Sequence, residues 1–83
     1  MTIEITLFGF GDDRPPPFGS ENRLCLDLDT PTTPRAILRA AGIDDETGLV
    51  LMNQDVVIPA RHWDDNIIRD QERLTLLSAF EGG

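Results

Sequence analysis

Few side chains in this sequence are suited to chemistry, and they do not converge. There is one cysteine, Cys25, and one histidine, His62, far apart in the chain. A soft-metal site needs several such ligands together, so none is expected. His62 stands in a polar stretch beside Trp63, the setting of a solvated or locally bonded imidazole. Cys25 would serve as a nucleophile or sulfur acceptor only as a thiolate, and its sequence neighbours, Leu24 and Leu26, carry no charge to favour that form. The pairs Asp12-Asp13 and Asp64-Asp65 offer a hard cation weak ligation and read as solvated surface. Gly9-Phe10-Gly11 is a fragment of a nucleotide-binding glycine motif, without the third glycine or the helix that should follow. Neither a catalytic residue nor a metal ligand is expected.

The remaining chemistry lies in Gly82-Gly83. Two glycines after a strand carry a carboxylate on a thread without side chains. Glycine allows both signs of φ, so such a thread can enter a narrow channel and set its carboxylate against a nucleotide. A carboxylate is a poor electrophile. Adenylation with ATP supplies a leaving group, and a thiolate or persulfide can then attack the carbonyl carbon. The product is a thiocarboxylate on a diffusible protein. The expected working group is the carboxylate of Gly83, with Gly82, Glu81 and Phe80 as the tail that enters a partner's active site.

The composition suits a presenting domain better than a catalytic one. Eighty-three residues make a single domain, 1–83, with no room for a second core or a deep supported cleft. The net charge of −8 opposes binding to nucleic acid or anionic membrane and fits a partner with a basic docking surface. All seven basic residues are Arg. Without lysine amines, only the amino terminus could accept a second copy in a self-conjugated polymer. A lone cysteine, no signal-like opening and no long apolar run give the expectation of a cytoplasmic protein.

The elements that must hold this tail follow from periodicity. Thr2–Phe8 alternates, with Ile3, Ile5 and Leu7 on one face, and reads as a half-buried strand. The stretch from Gly9 to Asn22, with three successive prolines, cannot hold helix or ladder. Arg23–Asp29 alternates again, with Leu24, Leu26 and Leu28 inward and Cys25 opposite. Thr33-Pro34 starts a helix, Gly42 stops it, and Ala36, Ile37, Ala40 and Ala41 are its expected buried face. Leu49–Met52 and Val56–Ile58 are strands joined at Asn53-Gln54-Asp55, and Pro59 ends the second. Residues 60–68, including Trp63, are expected to pack irregularly. After the turn Asp70-Gln71-Glu72, the strand Arg73–Ala79 carries Leu74 and Leu76 inward, and residues 80–83 form the tail. This order gives an α+β fold, a mixed sheet of four to five strands packed on one helix.

The run Asn53, Pro59-x-x-x-Trp63, Asp70, Leu74, Ser78-Ala79-Phe80-x-Gly82-Gly83 resembles the ThiS and MoaD family of β-grasp, ubiquitin-like sulfur carriers, and its thiamine-pathway branch most closely. Recognisable motifs cover residues 49–83, and the first half agrees only in pattern. The resemblance implies a β-grasp fold and a thiocarboxylate on Gly83, with no bound cofactor. It implies three partners: an adenylating enzyme of the ubiquitin-activating type, which uses ATP, a cysteine desulfurase or rhodanese-like sulfur donor, and a thiazole synthase or other sulfur-accepting synthase. In such a fold the first and last strands lie together at the sheet centre. Thr6 and Phe8 would then stand beside Thr75 and Leu77 on the outward face, with Cys25 nearby, as a docking surface. The long loop from Gly9 to Asn22 is closer to molybdopterin-type carriers than to the tight turn of thiamine carriers. Alternatives are therefore the small subunit of molybdopterin synthase, a carrier for cysteine or tRNA thiolation, a protein modifier that joins Gly83 to a lysine, and an acidic adaptor.

Overall fold

The computed structural model describes residues 1–10, 17–18, 22–44, 46 and 48–78. Alternation produces the first strand, β1 (Thr2–Phe8), as expected, with Ile3, Ile5 and Leu7 buried on one side. The second, β2 (Arg23–Asp27), pairs antiparallel to it, Ile3 opposite Leu26 and Ile5 opposite Leu24. It stops two residues short of the predicted end at Asp29. Leu24 and Leu26 are half-buried rather than enclosed, because β2 lies at the sheet edge.

The helix α1 (Pro34–Ala40) begins as the sequence demands. Thr33 is in an extended conformation, its hydroxyl accepts from the Ala36 amide at 3.3 Å, and Pro34 occupies the first turn. Its end is equally legible. Gly42 takes φ +84°, and the Ile43 amide reaches back to the Leu38 carbonyl at 2.9 Å. The expected buried face needs correction. Pro34, Ile37, Leu38 and Ala41 are buried, whereas Ala36 and Ala40 are exposed. Those four follow the i, i+3, i+4, i+7 stripe of a helix. Turning the stripe onto Leu38 buries far more apolar surface than turning it onto two alanines.

The remaining strands are β3 (Leu49–Asn53), β4 (Val56–Ile58) and β5 (Arg73–Ser78). β3 runs one residue past the predicted Met52, and Gln54 turns the chain with φ +58°. Ala79, predicted as the end of the last strand, lies outside the described residues. The five strands form one mixed sheet in the order β2-β1-β5-β3-β4, with β1 and β5 parallel and the other pairs antiparallel. The first and last strands are therefore neighbours, as predicted, and β5 is central.

Helix α1 and the segment from Pro59 to Ile68 supply the core beyond the sheet. Residues 60–68 are more ordered than expected. Pro59 leads into a 3-10 turn, Ala60–His62, and Ile68 bridges to Thr32. Trp63 is 1% exposed, and its indole N–H donates to the Ile58 carbonyl at 2.8 Å. The spacing Pro59-x-x-x-Trp63 thus folds the indole back onto the strand it follows. Phe18, within the proline-rich loop, is also buried, which the loop's composition did not suggest. A Cβ on Gly42 would come within 3.0 Å of Pro17 Cγ, so this part of the loop lies against the end of α1.

Candidate functional site

Among the described residues, one face of the sheet is covered and the other is open. Because side chains alternate along a strand, burial of Ile3, Ile5 and Leu7 sends Thr2, Glu4, Thr6 and Phe8 to the open face. Burial of Leu74 and Leu76 does the same for Arg73, Thr75 and Leu77. The parallel register places Glu4 opposite Arg73, Thr6 opposite Thr75 and Phe8 opposite Leu77. The predicted quartet Thr6, Phe8, Thr75 and Leu77 therefore stands together. Phe8 is 56% exposed, in a position where its ring contributes little to the core.

Pairing with β3 extends this patch. Leu77 faces Val50, Thr75 faces Met52, and Met52 faces Val57 of β4, which is 52% exposed. Phe8, Leu77, Val50, Met52 and Val57 make a continuous apolar band across four strands. Val50, Met52 and Val57 were missed in the sequence. Leu49–Met52 is wholly apolar, so alternation gives no sign of which residues face outward; only the register with β5 does.

The opposite end of the same face is polar. Cys25 is exposed and pairs with Glu4, which pairs with Arg73 on its other side. Phe8 lies four residues further along β1, about 13 Å away at strand spacing. The structure thus places Cys25 on the predicted face but in a different row from Phe8 and Leu77. Shallow hollows mark this face, one of about 670 Å³ bordered by Glu4, Thr6, Phe8, Arg73 and Thr75. Among the described residues no group of His, Cys, Asp and Glu could hold a metal ion, and no helix is long and apolar enough to cross a membrane.

Away from the open face, Arg35 is the main polar junction that sequence reasoning overlooked. Its guanidinium pairs with Glu46 and with Asp64 at 2.8 Å, and lies 5.7 Å from the centre of the Trp63 ring. Hydrogen bonds to Glu46 and Asp64, in that order, raise its pKa further above the ordinary arginine value. Asp64 is thereby engaged in tying α1 to the Trp63 segment. His62 is locally paired, its Nδ1 3.3 Å from an Asp65 carboxylate oxygen. Asn53 donates its side-chain amide to Glu72, which also accepts from the Arg69 amide at 2.9 Å and so shapes the turn into β5. The Asn53, Trp63 and Asp70 positions of the sequence run are structural, since Asp70 in turn accepts from the Thr2 amide at 2.7 Å.

Phe80, Glu81, Gly82 and Gly83 lie outside the described residues. The last residue described before them is Ser78. Ser78 ends β5, next to the Phe8–Leu77 pair and opposite Leu49 of β3. Ser78, the last described residue of β5, thus lies beside the apolar band. No protein-family model matches the chain, and no curated protein matches it.

Proposed function

We propose that this chain is a cytoplasmic sulfur carrier of the ThiS and MoaD kind, a β-grasp domain that presents Gly83 for chemistry done by others. The observation that carries the proposal is the parallel pairing of β1 with a central β5 whose chain continues directly into residues 79–83. The strand order, with one α-helix among the described residues, is the reason for proposing a β-grasp arrangement. The open apolar band beside the end of β5 supports docking to an activating enzyme.

The chemistry is two displacements. The Gly83 carboxylate attacks the α-phosphorus of ATP on the partner enzyme, forming the acyl-adenylate and releasing pyrophosphate. Sulfide, or a persulfide from a desulfurase or rhodanese-like donor, then attacks the carbonyl carbon. A C–S bond forms, the C–O bond to phosphate breaks, and AMP leaves with the electron pair. A persulfide yields an acyl disulfide, which a second thiol reduces to the thiocarboxylate. This terminus then gives its sulfur to a synthase, thiazole formation for thiamine being the leading case. The domain contributes shape, docking surface and an unhindered acyl carbon.

The decisive experiment incubates the full chain with ATP, an activating enzyme of the ubiquitin-activating type and a sulfur donor, then measures the intact mass. Replacement of one oxygen by sulfur at Gly83 is the expected result. A covalent conjugate to a lysine of another protein would identify a modifier instead, and an unchanged mass would leave an adaptor. The long loop from Gly9 to Asn22, which buries Phe18, favours molybdopterin synthase as the alternative acceptor. Sulfur transfer from the loaded carrier to each synthase separates the two pathways.

A further inference from the structure

The sheet ends at β2 on one side, and the groups this edge presents follow from the ladder behind it. The Leu7 amide donates to the Asn22 carbonyl at 2.8 Å, and the Leu28 amide to the Met1 carbonyl at 2.7 Å. Ladder bonds fall on every second residue, so Asn22, Leu24, Leu26 and Leu28 turn their backbone groups toward β1. Arg23, Cys25 and Asp27 turn theirs away from the sheet. Among the described residues no strand pairs with that side of β2. Leu24 and Leu26 are left half-buried beside the core, while Arg23, Cys25 and Asp27 are exposed. Edge strands are commonly guarded by proline, bulges or charge. This one holds no proline, and its register with β1 is unbroken from Arg23 to Asp27. Its two charges have opposite signs and stand at opposite ends, so they do not repel a second copy that runs antiparallel.

We infer that this edge is the contact surface for a second copy of the chain, the two β2 strands pairing antiparallel about a two-fold axis at Cys25. Such a contact must be self-complementary, and one register makes it so. With Cys25 opposite Cys25, Arg23 of each copy stands opposite Asp27 of the other, and Leu24 opposite Leu26. The outward groups of Arg23, Cys25 and Asp27 then meet as hydrogen-bonded pairs, with Cα atoms about 5.5 Å apart. Opposite charges face each other at both ends. Asp27 already accepts from the Thr2 hydroxyl at 2.8 Å, and its carboxylate has room for a guanidinium as well. The leucines fall at the closer positions, about 4.5 Å apart, and cover apolar surface that each copy leaves half open. A slip by two residues would set Cys25 against a charge and separate Arg23 from Asp27. The net charge of −8 on each copy opposes association, but at about 0.15 M salt screening over about 8 Å weakens that repulsion far more than the direct Arg23–Asp27 contacts. Edge pairing continues the sheet and covers neither face, so Phe8 and Leu77 stay accessible. The inference is therefore independent of the sulfur-carrier reading, and its test uses no activating enzyme.

Sedimentation equilibrium of the full chain, in reductant so that no Cys25 disulfide forms, measures the association directly. A short edge contact is a small, transient interface, so dimer is expected at about 1 mM chain and monomer at about 10 µM. Arg23→Asp and Asp27→Arg each set like charges opposite one another at both ends and should weaken the dimer about tenfold or more. Combining Arg23→Asp with Asp27→Arg restores the attraction with its signs exchanged and should recover the wild-type dissociation constant within about threefold. Because the double variant carries both changes and still dimerises, the losses in the single variants are not misfolding. A second readout needs no variant: on dilution of the wild type, the amide resonances of Arg23, Cys25 and Asp27 should move, and those of Val50 and Leu77 should stay in place. A monomer at about 1 mM, at which even a millimolar dissociation constant would show, overturns the inference. So does a double variant that is folded by circular dichroism yet dimerises no better than the single ones. Dilution shifts confined to the open face, with a dimer lost in Phe8→Glu and kept in Arg23→Asp, would place self-association on the apolar band and overturn it equally.

Discussion

The two faces of this sheet are made by the same strands and differ in composition. On the covered face, Ile3, Ile5, Leu51, Leu74 and Leu76 are completely or almost completely buried beneath α1 and Trp63. On the open face, the residues between them run from a charged end, Cys25, Glu4 and Arg73, to an apolar end, Phe8, Leu77, Val50, Met52 and Val57. A sheet that faced only water would not need that apolar end, since its ladder bonds and its core are both satisfied without it. One set of alternate residues holds the fold; on the proposed reading, the other set serves recognition.

The largest effect should come from breaking the covered face. Trp63→Ala removes a buried indole and the hydrogen bond it donates to Ile58. A loss of about 3–5 kcal/mol is expected. Against the ordinary stability of a small domain, about 5–15 kcal/mol, this leaves little margin. Urea denaturation followed by circular dichroism should show a sharply lowered midpoint or no folded baseline. A near-native midpoint would mean that the Trp63 segment is not part of the cooperative core.

The open face should respond in the reverse way. Phe8→Glu or Leu77→Glu puts a carboxylate into the apolar band, and a central interface residue of this kind is worth about 2 kcal/mol or more in association. Affinity for the activating enzyme should fall about thirtyfold at the least, measured by titration calorimetry. Phe8 is more than half exposed, so Phe8→Glu should leave the unfolding midpoint almost unchanged. Full affinity in both variants would remove the docking role from this face.

Much of this contrast was legible in the sequence, and the failures have physical causes. Period-two alternation revealed the inward residues of β1 and β5, and Thr33-Pro34 with Gly42 marked both ends of α1, because capping depends on a few local groups. The stripe of α1 was misjudged because several apolar residues compete around a short helix, and only the partner surface selects Leu38 over Ala36 and Ala40. Val50 and Met52 were concealed within a fully apolar strand, where face is decided by register with β5. Phe18 and Arg35 make long-range contacts that no local pattern encodes. Of the candidate site, the Thr6, Phe8, Thr75 and Leu77 cluster was anticipated with Cys25 nearby, which the register puts one row beyond Thr6, while the distance of Cys25 from Phe8 needed the observed pairing. The residues of the carrier-like run, by contrast, are mostly fold determinants: Trp63, Asn53 and Asp70 all bond within the domain.

A smaller perturbation asks whether the two faces are coupled. Thr33→Ala deletes the hydroxyl that caps α1 without touching the sheet. It should cost about 1 kcal/mol of stability. Loading of the carrier, measured at a temperature where the variant remains folded, should equal that of the wild type. Reduced loading with intact structure would show that the cover tunes the open face, and the division between them would have to be redrawn.

The smallest effect is expected at Cys25, and it sharpens the map of the open face. The thiol is exposed on the edge strand β2, paired with Glu4 and about four residues' length from Phe8. Cys25→Ser keeps a small polar side chain there and should change stability by no more than about 0.5 kcal/mol. If the apolar end alone docks, and if sulfur is carried on Gly83, the variant should acquire the oxygen-to-sulfur mass change at the wild-type rate. A serine variant that becomes adenylated but fails to take up sulfur would instead put Cys25 on the route of transfer. The polar end of the face would then be part of the reaction and not merely its margin.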